Sequence, residues 1–85
     1  MITKIVITDI NADTMGYAAT DADAAQYRAY VAGSLATLYP GADISVSEES
    51  SLTPLALETS DDATEWPAAM DEVSRDLDRL WEAWL

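Results

Sequence analysis

The sequence predicts a two-layer α+β domain of order β-α-β-β-α, a three-stranded mixed sheet with two helices packed on one face. Three observations predict it. Ile2 to Thr8 is β-branched at nearly every position, as in a strand. Ala24, Tyr27, Val31, Leu35 and Leu38 hold helical spacing, and so do Trp66, Met70, Val73, Leu77, Leu80 and Trp84. Between these two helices Ile44 and Val46, then Leu55 and Leu57, alternate with their neighbours at the two-residue period of a half-buried strand.

The first strand carries apolar residues on both faces, Ile2 and Val6 on one, Ile5 and Ile7 on the other. It therefore belongs in the interior of the sheet, or is covered on both sides. Asn11 to Ala19 reads as a long loop. Thr20 followed by Asp23 is a capping-box start for a helix over Asp21 to Tyr39, and Pro40-Gly41 ends it. Gly33 inside that helix costs about 1 kcal/mol relative to alanine, which predicts a close backbone approach there. Tyr30 and Tyr39 are expected half exposed, their hydroxyls in water. The helical crossover makes the first two strands parallel. The polar link at Glu48 to Ser51 is short and predicts an antiparallel hairpin of the second and third strands. Pro54 confines the third to an edge.

The terminal helix is predicted over Thr64 to Leu85, with Thr64 as N-cap, Glu65 at the positive end of the dipole and Pro67 in the first turn. Trp81 and Leu85 widen its apolar stripe. About twenty residues make a helix of about 30 Å, whereas strands of five to seven residues span only about 17–24 Å. The helix should overhang the sheet and carry Trp81, Trp84 and Leu85 with it. That end either docks on a partner or a second copy, or is covered by side chains of the first helix as ordinary core.

The 85 residues make one domain, and their apolar content excludes intrinsic disorder. Cysteine and histidine are both absent. Disulfides, Ser-His or Cys-His nucleophile systems and the commonest metal ligands go with them. Ile5 to Ile7 is too short a run for a leader or a membrane span, so a cytoplasmic protein is expected. Sixteen acids stand against four bases, a net charge of −12. Such a surface repels nucleic acid and anionic membranes, and its partner is expected to be a protein with a basic surface.

Asp9, Asn11 and Asp13 spell D-x-N-x-D, the opening of many calcium loops. Thr14 then stands where the loop glycine belongs and Thr20 where the bidentate glutamate belongs. The stretch reads as a capped turn, and no metal or cofactor is expected. No carboxylate pair sits in a catalytic motif, so the chain reads as non-enzymatic. The residues assigned to partner binding are Asp71, Asp78, Glu82, Trp81 and Trp84, with Asp61, Asp62 and Glu65 at the helix entrance. Asp71–Arg75, Asp76–Arg79 and Arg79–Glu82 fall at ion-pair spacing. Carboxylates three or four apart lie about 5–6 Å from each other, comparable to phosphates along a nucleic-acid strand. In size and acidity the chain resembles small phage-borne inhibitors of nucleic-acid enzymes, including anti-CRISPR proteins, and the resemblance implies mimicry of nucleic acid. Two alternatives stand beside it. Ten aspartates, one lysine and fifteen alanines also fit a salt-adapted structural or oligomerisation domain, and the D-x-N-x-D stretch a divalent-cation module.

Overall fold

A computed structural model describes residues 2–16, 18–60 and 66–84. In it β1 (Ile2–Ile7) is the centre of the sheet. It pairs in parallel with β2 (Asp43–Val46) on one side and antiparallel with β3 (Leu55–Thr59) on the other, so the strand order is β2-β1-β3. The interior position predicted from its two apolar faces holds. Two long helices, α2 (Asp21–Leu38) and α3 (Trp66–Trp84), cover one face, α2 against β2 and α3 against β3.

The expected hairpin of the second and third strands does not form. β3 pairs with β1 instead, because the connection 47–54 crosses the end of β1 and is stitched to it. Ser47 N–H donates to the Ile7 carbonyl at 2.9 Å, and Asp9 N–H donates to the Glu49 carbonyl at 2.8 Å. Ile10 N–H donates to Ser47 at 3.2 Å and Thr8 N–H to Pro54 at 2.9 Å. These bonds supply partners for backbone groups that β1 would otherwise leave open where it ends.

The loop predicted at Asn11 to Ala19 contains a four-residue helix, α1 (Ala12–Met15). Asn11 caps it: its side-chain oxygen accepts from Thr14 N–H at 3.1 Å, and the Thr14 hydroxyl accepts from Asn11 N–H at 3.1 Å. Gly16 then ends it at φ 130 and ψ 160, a conformation that only glycine adopts without strain. The same reciprocal device starts α2, where Asp23 N–H donates to the Thr20 hydroxyl at 3.1 Å and Thr20 N–H to the Asp23 carboxylate at 2.9 Å. That start is the one the sequence predicts.

Ile5, Ile7, Tyr27, Val31, Leu35, Leu57, Ala69 and Val73 form the buried core, with Ile5, Val31, Leu35 and Val73 among its fully enclosed side chains. Leu38, expected on the buried stripe of α2, is 53% exposed in the last turn. Trp66, expected to begin the stripe of α3, is 41% exposed, and its indole N–H donates to the Leu57 carbonyl of β3 at 3.2 Å. The close approach expected at Gly33 is absent: a methyl group there meets nothing within 4 Å. Pro67 lies in the first turn of α3, while the predicted cap at Thr64 and Glu65 lies outside the described residues. No helix among the described residues is long and apolar enough to cross a membrane.

Candidate functional site

The two long helices run in opposite directions, which brings the far end of α3 to the first half of α2. Trp81 meets the Tyr27 ring edge-on at 5.3 Å between centroids and 79° between planes. Trp84 lies 5.3 Å from Tyr27 and 5.4 Å from Tyr30. Such pairs contribute about 0.5–1.5 kcal/mol beyond the area they bury. α2, at 18 residues, nearly matches α3, at 19, so the expected overhang has a companion and both indoles are half-buried. Burial and then the neighbouring Tyr30 ring push the Tyr27 hydroxyl above its ordinary pKa.

Where α2 ends, the Tyr39 hydroxyl donates to the Asp76 carboxylate in the middle of α3 at 2.5 Å. Tyr39 was expected to place its hydroxyl in water. Burial, then this bond and the nearby Asp76 and Glu72 charges, raise its pKa far above the ordinary phenol value. Asp76 also lies 3.6 Å from the Arg79 guanidinium. Of the three ion pairs expected on α3, this is the one within reach among the described residues.

On the outward side of α3, Asp71, Asp78 and Glu82 are exposed. Among the described residues none of the three has a hydrogen-bond or ion-pair partner. Asp71 and Asp78 are seven residues apart, about 10 Å along the axis, and Glu82 follows about 6 Å further on. Arg75, also exposed, stands between the first two. The remaining acids assigned to this surface, Asp61, Asp62 and Glu65, lie outside the described residues.

The D-x-N-x-D stretch divides its side chains among separate tasks. Asp9 follows β1 at φ 62, a left-handed conformation that aspartate tolerates better than most residues. Its carboxylate accepts from the Thr8 hydroxyl at 2.9 Å and from Ser51 N–H at 3.2 Å. The Thr14 hydroxyl donates to its carbonyl. Asn11 caps α1 and reaches the Glu48 carbonyl at 3.4 Å, while Asp13 is exposed. No group of three acidic side chains converges among the described residues.

Sequence reasoning missed a cleft of about 300 Å³ beside Asp9. Its lining comes from the end of β1 and the residues after it (Asp9 among them), from Met15 of α1, Tyr27 of α2, Leu55 of β3, and Leu77 and Trp81 of α3. Its residues come from five segments, so no local spacing announces it. The one local signal was an aspartate directly after a strand, a residue type that accepts the left-handed conformation.

Compared with known proteins, the chain matches no protein-family model, no curated protein and no solved structure.

Proposed function

We propose that the protein is a non-enzymatic acidic binding module. Its α3 outer face occupies a basic, nucleic-acid-binding surface of a partner protein and so inhibits or regulates it, in the manner of small phage inhibitors that mimic nucleic acid. One observation carries this: Asp71, Asp78 and Glu82 are exposed along one helix and are engaged by no other described residue. A carboxylate held in an internal ion pair has already lost part of its attraction for an external cation, and these three keep theirs. The net charge of −12 adds long-range attraction for a basic partner and repels nucleic acid itself. Trp81 and Trp84 are assigned a supporting part, since both rings already lean on α2 and hold the helix in place.

The test is affinity capture from a nuclease-treated lysate, eluted with rising salt. A basic nucleic-acid-binding protein should be retained at low salt and released as screening grows. Retention of no protein at low salt, by a chain shown to be folded there, overturns the proposal.

A further inference from the structure

The cleft beside Asp9 carries an inference that does not use the exposed acids of α3. Its polar lining residues are Thr8, Asp9 and Thr14. The Thr8 hydroxyl gives its proton to the Asp9 carboxylate, and the Thr14 hydroxyl gives its own to backbone carbonyls of Asp9 and Asn11. Neither hydroxyl retains a proton for a ligand. The carboxylate offers about four acceptor positions, of which Thr8 and Ser51 use part. A bound molecule must therefore bring the donor.

We propose that this cleft binds a small organic ammonium ion whose apolar body fills the space between Leu55, Leu77 and Trp81 and whose charged head meets Asp9. The size, about 300 Å³, is at the lower end of ligand pockets. Tyr27 and Trp81 add aromatic wall against which the apolar body packs. A charged donor makes a stronger bond to a carboxylate than a neutral one. Anions are turned away by the net charge. Arg28, whose side chain reaches the cleft residue Ile10, is occupied: its guanidinium donates to the Ile10 carbonyl at 2.9 Å and lies 3.8 Å from the Glu48 carboxylate.

The test is an amide-resolved NMR titration with phenethylammonium, phenethyl alcohol and hydrocinnamate at constant ionic strength. Phenethylammonium should shift the amides of Asp9, Ile10, Met15 and Leu55 saturably and bind about tenfold more tightly than the alcohol. Hydrocinnamate should cause no saturable shift. Asp9→Asn, which tolerates the same backbone conformation, should bring ammonium and alcohol to similar affinity. Met15→Trp adds bulk to the lining of the cleft and leaves Asp9 unchanged in sequence, and it should abolish ammonium binding even if Asp9→Asn fails to fold. Equal affinity for ammonium and alcohol in the wild type overturns the proposal. So does an absence of saturable binding, a set of shifts centred on the outer face of α3, or unchanged ammonium binding by Met15→Trp.

Discussion

The Tyr39 hydroxyl donates to the Asp76 carboxylate at 2.5 Å, and this bond joins the C-terminal cap of α2 to the middle of α3. Its partner Asp76 has a side chain only 14% exposed, so the bond is shielded from competing water. Tyr39→Phe removes the donor and keeps the ring, and it should lower stability by about 1–2 kcal/mol at neutral pH. The raised pKa gives the effect a sign with pH. The fold favours the protonated phenol, so this contribution is fully present below the unfolded value of about 10 and is lost as pH rises through the folded value. Urea unfolding of both proteins should show a gap that narrows in strong alkali.

Gly33→Ala should stabilise the protein by about 0.5–1 kcal/mol, since a methyl group meets nothing within 4 Å and the helix gains propensity. Thermal unfolding of the variant checks it. A loss of stability would mean that something crowds this position after all.

Trp84→Ala removes a ring that touches both Tyr27 and Tyr30. For a half-buried aromatic the expected cost is about 2–3 kcal/mol, below that of a fully enclosed one. Denaturant unfolding measures it. A change near zero would free the indole for a role outside the chain.

The elements that depend on local spacing were legible in the sequence. The Thr20–Asp23 box starts α2 where predicted, and Ala24, Tyr27, Val31 and Leu35 are buried as their period requires. The Ile44 and Val46 alternation likewise gives a strand with one half-buried face. What failed depends on chain segments far apart. The choice of β1 over β2 as the partner of β3 rests on the bonds from Thr8, Asp9 and Ile10 to the connection 47–54, which no alternation records. The Tyr39–Asp76 bond spans 37 residues, and the cleft draws on five segments. Leu38 and Trp66 hold the helical period yet lie too near their helix ends to be enclosed.

Asp9 tests how far backbone strain and side-chain bonding support the end of β1. Asp9→Ala loses the bonds from Thr8 and Ser51 and places an ordinary residue at φ 62, so it should cost about 1–3 kcal/mol. Asp9→Asn should cost less than half of that, because the amide oxygen still accepts and the conformation suits asparagine. Chemical denaturation of the two variants side by side decides it; equal losses would contradict the assigned role of the side-chain bonds.

The most direct measurement is capture by wild type and by the triple variant Asp71→Asn, Asp78→Asn, Glu82→Gln, run in parallel on one nuclease-treated lysate. Both proteins should be folded, since none of the three side chains has a partner among the described residues. The account predicts that wild type retains a basic protein, releases it with salt, and that the variant retains little of it. Equal recovery by both proteins would contradict the assignment to the outer face of α3.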